Sequence, residues 1–119
     1  MFQLDEIEHP DYLEYVVTGS PDNEEWMGLI DRVEADCKRL KQRRVLVDVQ
    51  GCDSAPQPMQ RYNLGVAMGK TFSSGLRIAV QDRTENIDFF WETVAVNRGV
   101  KAKVSSKREV LLAWLKEED

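Results

Sequence analysis

Apolar positions at the start of the chain follow the spacing of strands. Phe2 and Leu4 alternate with polar residues, and segment 12–17 is rich in β-branched and aromatic residues. Between these segments lie Pro10, which cannot donate a ladder hydrogen bond, and Asp11, which favours a turn. The pattern predicts two short strands joined as an opening β-hairpin.

The following segment has the spacing of an amphipathic helix. Ser20 is predicted to be its N-cap and Pro21 its first helical residue, because a serine oxygen can accept from a free backbone N–H and proline needs no donor there. Charged residues such as Glu34 and Lys38 are expected on the solvent side. The stripe predicted to face the core consists of Trp26, Leu29, Ile30, Val33, Cys37 and Leu40.

The rest of the chain alternates between strand and helix patterns. Residues 45–49 form a nearly continuous apolar run, which is typical of a central strand covered on both faces. Helix 59–70 and strand 76–80 follow. A third helix is predicted around Ile87, Phe90, Trp91, Val94 and Ala95, ending at Gly99. After strand 101–104, a capping-box pattern over 106–109 predicts a last helix with Val110, Leu111, Trp114 and Leu115 facing inward.

The predicted order β-β-α-β-α-β-α-β-α defines the fold class as α/β. Strands that alternate with helices need crossover connections, so the sheet should be mixed and mostly parallel, with helices packed against it. At 119 residues, the chain is expected to form a single domain spanning 1–119.

Two glycines in the predicted helix 59–70 are similar in spacing to those of a phosphate-binding loop. Gly65 and Gly69 precede Lys70 and Thr71, but three residues separate the glycines where that loop has four. The segment also ends a helix instead of opening one. The spacing therefore predicts that the helix lies close to a neighbouring element at both glycines.

Composition narrows the classes of function. The net charge of −5 argues against a non-specific nucleic-acid binder and against docking on anionic lipid. A single histidine, His9, and the unpaired Cys37 and Cys52 leave almost no ligands for a metal site, and no cofactor is expected. No leader pattern and no apolar run of about 20 residues is present, so a cytoplasmic setting without a membrane span is expected.

Several segments carry a resemblance to a known family. They are 44–51, 60–62, the Glu-Thr-Val-Ala-Val-Asn-Arg-Gly run at 92–99, and 111–115 with its Ala-Trp-Leu ending. With these residues the chain resembles the SpoIIAA-like family, a bacterial group within the STAS and CRAL-TRIO superfamily. The resemblance covers about two-thirds of the chain and implies a STAS-like sheet with helices packed against it.

The related anti-sigma-factor antagonists carry a phosphorylated serine after the central strand, in an Asp-Ser-Ser-Gly motif. Here the corresponding position falls near Gln57 or Pro58, which have no hydroxyl, whereas Asp53 and Ser54 come several residues earlier. Ser54 is therefore the residue to test for phosphorylation, against the simpler interpretation of a turn or cap serine.

The resemblance implies a non-enzymatic regulatory or interaction module. It would bind a protein partner, or a small anionic or lipidic ligand, at the loops after the strands. The candidate binding residues are Asp48, Asp53, Ser54, Arg61, Thr84 and Arg98. The alternatives are an enzyme that uses Asp48 and Arg98 in a pocket at this edge, and a homo-oligomeric structural protein such as a homodimer. No nucleophile–base pair and no catalytic residue can be assigned, which favours the first hypothesis.

Arg98 and Asp48 each have a structural alternative. Arg98 precedes Gly99 at a predicted helix end, where a cation complements the helix dipole and glycine adopts the left-handed turn. Asp48 could act as a general base, or could accept hydrogen bonds near the end of its strand. Arg61 could line a cleft above the central strand or lie on a solvated helix face.

Overall fold

The computed structural model describes residues 1–117, and its elements follow the predicted order. The strands are β1 (Phe2–Glu8), β2 (Leu13–Gly19), β3 (Arg44–Cys52), β4 (Arg77–Gln81) and β5 (Lys101–Ser105). The helices are α1 (Asn23–Leu40), α2 (Pro58–Thr71), α3 (Phe90–Asn97) and α4 (Arg108–Leu115). A 3₁₀ turn at Thr84–Asn86 lies between β4 and α3.

The five strands form one mixed sheet in the order β1-β2-β3-β4-β5. β1 and β2 pair antiparallel as the predicted hairpin, and the other neighbours pair parallel. β3 is therefore central, and its residues Val45, Leu46 and Val47 are buried. This confirms the α/β class with a mixed, mostly parallel sheet.

Helices cover both faces of the sheet, unequally. The larger core lies on the first face, where buried residues of α1 and α2 pack on alternate strand residues such as Tyr15 and Val47. The second face carries a smaller cluster of Leu46, Ala79, Leu111 and Leu115 beneath α4. Because successive strand residues point to opposite faces, the apolar run of β3 supplies both cores.

Close contact between α2 and α3 depends on the two glycines singled out in the sequence. A Cβ on Gly65 would lie 2.7 Å from Val94 Cγ1, and one on Gly69 would lie 2.7 Å from Arg98 Cβ. Such distances are too short for van der Waals contact. The prediction of a close helix approach is confirmed.

The start of α1 differs from the prediction. Asp22, not Ser20, is the N-cap: its side chain accepts from the Glu25 backbone N–H at 2.8 Å, and the Glu25 side chain accepts from Asp22 N–H at 3.0 Å. This reciprocal capping box satisfies two backbone donors at once, which a lone serine cannot do. Ser20 donates instead to Asp53 Oδ2 at 2.6 Å.

The last two helices also differ from the prediction. α3 begins at Phe90, later than the stripe from Ile87 suggests, and Phe90 is exposed. α4 has Lys107 as N-cap without a side-chain capping bond, so the predicted capping box is absent there. Ser105 Oγ instead accepts from Lys107 N–H at 3.0 Å. Val110 is exposed, since the eight-residue helix turns only one narrow side to the sheet.

Glu34 is buried, although the helical pattern placed it in solvent. Its Oε1 accepts from the Ser73 backbone N–H at 2.9 Å and its Oε2 from Ser73 Oγ at 2.5 Å, so it holds the loop that follows α2. Burial opposes ionisation of Glu34. The hydrogen bonds from Ser73 and from Lys38 outweigh that effect and hold the pKa of the carboxyl below its usual value.

Both cysteines are buried free thiols. Burial raises the pKa of Cys37 to about 12. Within residues 1–117, no helix is long and apolar enough to cross a membrane. The same part of the chain brings no three metal-binding side chains together.

Candidate functional site

A cavity of about 110 Å³ lies between the first face of the sheet and the three helices that cover it. It opens at the edge where the parallel strands end. Its apolar walls include Trp26, Leu29, Ile30, Val33, Val47, Val49, Leu64, Met68, Ile78, Val80, Trp91 and Val104. An engineered apolar cavity of about 150 Å³ stays dry and binds benzene, so this one is of the size that takes a single apolar group.

Strand periodicity explains the valine walls. Val47 and Val49 are two residues apart on β3, so both point to the first face, and Val80 and Val104 face the same way on β4 and β5. Trp91 closes one side from α3, where its Nε1–H donates to Met68 Sδ at 3.3 Å.

Arg61 fixes the mouth of the cavity. From the first turns of α2, its Nη1 pairs with Asp88 Oδ1 at 2.6 Å, its Nε donates to the Pro56 carbonyl at 2.8 Å and its Nη2 donates to the Asn86 carbonyl at 3.0 Å. The side chain is only 14% exposed. It therefore ties α2 to the loop between β4 and α3, and its guanidinium is occupied by the protein itself.

Asp88 and Glu92 complete the polar part of the mouth. A backbone hydrogen bond from Phe90, together with Arg61, holds the pKa of Asp88 below its usual value against the opposing effect of burial. Glu92 Oε1 accepts from the Val104 backbone N–H at 2.7 Å, which anchors α3 to β5. Both carboxylates thus have a partner within the protein at the opening.

Exposed apolar side chains border the mouth. Phe89 lines the cavity yet is 54% exposed, and its backbone is left-handed, with φ 64°. That conformation costs a non-glycine residue roughly 1–2 kcal/mol. Phe90, the next residue along the chain, is 40% exposed. Apolar groups that remain in solvent beside a cavity are typical of a binding surface.

The edge around the mouth is acidic. Burial first, and then the carboxylates of Asp82, Asp53 and Asp48, raise the pKa of Cys52 to about 11, with an opposing contribution from Arg83. Asp82, like Asp88 and Glu92, also lines the cavity. A neutral or cationic group is therefore accommodated better here than an anion.

The candidate residues named from the sequence fall in three places. Arg61 lies at the cavity mouth, and Asp53, Ser54 and Thr84 lie in exposed loops at the same edge. Ser54 lies in a bend between β3 and α2, and Asp53 is bonded to Ser20 as described above.

Asp48 and Arg98 do not join that group. Asp48 points to the second face of the sheet, where its Oδ1 accepts from Gln50 N–H and Nε2 at 3.0 and 3.1 Å. Arg98 caps the far end of α3, where it donates to the Tyr62 hydroxyl at 3.0 Å and its guanidinium lies 5.7 Å from the centre of that ring. The two side chains are not the polar pair of one pocket.

Sequence reasoning did not identify Asn86 and Asp88 as parts of the mouth. The sequence could have indicated Asp88, because an aspartate two residues before a helix can accept a hydrogen bond from the first free N–H of that helix. Asp88 Oδ1 accepts in this way from Phe90 N–H at 3.0 Å. Asn86 contributes only its backbone carbonyl, for which side-chain patterns give no signal.

Comparison with solved structures agrees with this architecture. An anti-sigma factor antagonist from Mycobacterium paratuberculosis superposes with a TM-score of 0.70 at 11% identity, over 98% of this chain and 96% of that one. An uncharacterized protein with a SpoIIAA-like fold from Shewanella loihica gives 0.57 at 19% identity, over 96% and 93%. No protein-family model and no curated protein matches the sequence. The chain has the SpoIIAA-like fold, the fold of the anti-sigma factor antagonist.

Proposed function

We propose that this protein is a non-enzymatic regulatory module that binds a partner protein at the edge where the parallel strands end. The observation that carries the proposal is the apolar cavity opening beside the exposed Phe89 and Phe90. Interfaces concentrate their affinity in a few apolar anchors that enter pockets, and aromatic residues are enriched around them. The cavity has room for one such anchor.

The charge of the mouth indicates the kind of partner. Among the described residues that line the cavity, Asp82, Asp88 and Glu92 face one cation, Arg61, which is already paired. A partner segment that presents an apolar side chain flanked by basic residues complements this edge. An anionic ligand at the same place would meet repulsion, so the proposal favours a protein partner over a small anion here.

The alternative hypothesis, that the protein is an enzyme with a pocket at this edge, receives no support from the geometry of the mouth. Arg61 is occupied by two carbonyls and Asp88, and Glu92 by a backbone N–H. Arg61, Asp88 and Glu92 thus each have a structural task. Asp48 lies on the other face of the sheet.

The test is affinity capture from the native cells with matched valine-to-phenylalanine variants. Val80→Phe fills the cavity, whereas Val110→Phe adds the same ring to an exposed position on α4. We expect the wild type and Val110→Phe to retain the same partner and Val80→Phe to lose it by about thirtyfold, the scale of one hot-spot residue. Circular dichroism melting checks that each variant is folded.

A second variant tests the same edge in case Val80→Phe does not fold. Phe90→Ser changes an exposed side chain and should also weaken capture. Undiminished capture by both variants would contradict the proposed binding edge. Native mass spectrometry of the same preparations tests whether a small molecule occupies the cavity instead. A retained small compound that Val80→Phe releases would assign the cavity to a ligand and not to a protein.

A further inference from the structure

Strand β1 lies at one end of the sheet. In the order β1-β2-β3-β4-β5 of the described strands, it pairs only with β2. Its seven residues, Phe2–Glu8, keep one antiparallel register with β2 from end to end. The strand contains no proline and, in contrast to the β2–β3 pair, no register shift. A regular backbone edge therefore faces away from the rest of the sheet.

Hydrogen bonds at both ends of the hairpin show which β1 residues face outward. Ser20 N–H donates to the Met1 carbonyl, and His9 N–H donates to the Tyr12 carbonyl, each at 2.9 Å. In an antiparallel pair the hydrogen-bonded residues alternate along each strand, so the odd-numbered residues of β1 bond to β2. The outward backbone groups belong to Phe2, Leu4, Glu6 and Glu8.

These outward N–H and C=O groups have no hydrogen-bond partner within residues 1–117. The strand at the other end of the sheet differs. At β5, Glu92 Oε1 accepts from the Val104 backbone N–H at 2.7 Å, so a side chain of α3 satisfies one donor of that edge. Edge strands with unpaired backbone groups are templates for the addition of another strand. The outer edge of β1 is such a template.

Carboxylates determine which kind of strand fits this edge. Glu6 pairs with Arg32 at 2.8 Å, whereas Asp5 and Glu8 are exposed and form no ion pair or side-chain hydrogen bond with the described part of the chain. Asp5 and Glu8 are three positions apart, so they point to opposite faces of the sheet. A second copy of β1 would add its own carboxylates to this edge, and like charges across a strand pair are destabilising. A strand with basic residues three positions apart places a cation beside each carboxylate.

We propose that the outer edge of β1 binds an extended basic segment of a partner protein, which adds to the sheet as a sixth strand. Backbone hydrogen bonds to Leu4, Glu6 and Glu8 supply affinity, and the carboxylates of Asp5 and Glu8 select basic side chains. No residue of β1 is among the described residues that line the cavity. The proposal therefore does not depend on the function proposed for the cavity.

Amide hydrogen exchange tests the geometry of this edge. We expect slow exchange at the odd-numbered amides from Gln3 to Ile7, which bond to β2, and fast exchange at the even-numbered amides from Leu4 to Glu8. Equal protection of the two sets would mean that the outer edge already has a partner, and would overturn the proposal.

NMR titration with the peptide acetyl-Thr-Lys-Val-Val-Lys-Thr-amide at low salt tests binding. Its lysines are three positions apart, and its sequence reads the same in both directions, so it can add parallel or antiparallel. We expect saturable shifts of the even-numbered amide protons from Leu4 to Glu8 and smaller shifts at the odd-numbered ones. The same peptide with glutamate in place of lysine should bind at least about tenfold more weakly. N-methylation of both valines removes a donor whichever edge of the peptide faces β1, and should abolish binding.

Variants of Glu8 separate the contribution of the backbone from that of the charge. Glu8→Gln removes one carboxylate and should weaken peptide binding about threefold, the scale of an exposed ion pair. Glu8→Pro also removes the outward N–H, a change that edge strands tolerate, and should bind at least about fivefold more weakly than Glu8→Gln. Glu85→Gln is the control, because it removes an exposed carboxylate in the turn after β4. It should bind as the wild type does.

Circular dichroism checks the fold of each variant. If Glu8→Pro does not fold, Asp5→Asn provides the second comparison and should bind about threefold more weakly than the wild type. Val80→Phe, which fills the cavity, should bind the peptide normally, so failure of the function proposed for the cavity leaves this test unaffected.

Four results would overturn the proposal. They are an absence of saturable shifts at β1, equal binding of the lysine and glutamate peptides, equal binding of the peptide by folded Glu8→Pro and Glu8→Gln, and outward amides that shift with protein concentration alone. The last result would assign the edge to a second copy of the chain.

Discussion

Arg108→Ala is expected to lower the free energy of unfolding by about 3 kcal/mol at neutral pH, near the lower end for breaking a buried ion pair. Arg108 Nη2 pairs with Glu14 Oε1 at 2.6 Å, and the Glu14 side chain is only 5% exposed. Within residues 1–117, His9 Nε2, at 2.7 Å from the same oxygen, is the other partner of that carboxylate. The variant would leave a buried charge with half its hydrogen bonds. Urea denaturation measures the loss.

The pH dependence of Arg108→Ala identifies the cause. Burial alone would raise the pKa of Glu14, but the hydrogen bonds from Arg108 and His9 outweigh it and hold the pKa below its usual value. A carboxyl with a lowered pKa stabilises the fold above its unfolded pKa, and that contribution is lost as pH falls through the folded value. Without Arg108, burial dominates and the pKa of Glu14 rises. The deficit should therefore shrink as the pH falls toward the range where Glu14 becomes protonated.

Lys116→Ala provides the matched control for Arg108→Ala. Lys116 Nζ lies 4.0 Å from Asp11 Oδ2, and both side chains are more than half exposed. Such a pair contributes about 0–1 kcal/mol, so the control should unfold almost as the wild type does. A deficit of Arg108→Ala that stays constant with pH, or that is no larger than that of Lys116→Ala, would contradict the assigned role of the pair.

Gly65→Ala and Gly28→Ala are expected to change stability in opposite directions. Both glycines lie inside helices, where alanine is favoured by up to about 1 kcal/mol. A Cβ at Gly28 meets nothing within 4 Å, so that variant should be more stable. A Cβ at Gly65 would lie 2.9 Å from Val94 Cβ and 3.1 Å from the Ala95 backbone nitrogen.

Overpacking of that kind costs about 1–3 kcal/mol, so Gly65→Ala should be less stable despite its better helix propensity. Thermal and urea unfolding of the two variants measure the difference between them. Equal stabilisation of both variants would mean that α2 and α3 do not approach as closely as the structure has them.

The fold was predictable because its signals are local and periodic. Alternation in β1, the apolar run of β3 and the helical stripe of α1 depend only on neighbouring positions. The close approach at Gly65 was also predictable, since small residues one helical turn apart leave room for a neighbour. The starts of helices were harder to predict. Ser20 and Asp22 are both good N-cap residues, and only the reciprocal bond with Glu25 decides between them.

The site was less predictable because its parts meet only in the folded chain. Arg61 reaches a carbonyl 25 residues away, and Glu34 is buried by a loop 39 residues away. No local pattern contains such a partner. The face to which Asp48 points was hidden for another reason: the apolar run around it lacks the alternation that separates the two faces.

Methyl-resolved NMR with benzene as a small apolar probe tests whether the cavity at the strand ends is an accessible binding pocket. We expect saturable shifts in the methyl signals of Val47, Val49, Val80 and Val104, which line the cavity. The methyl signals of Leu111 and Leu115, on the other face of the sheet, should stay unchanged. Val80→Phe should abolish the shifts. Unchanged cavity signals at saturating benzene, or equal shifts on both faces, would show that the cavity is not a binding pocket.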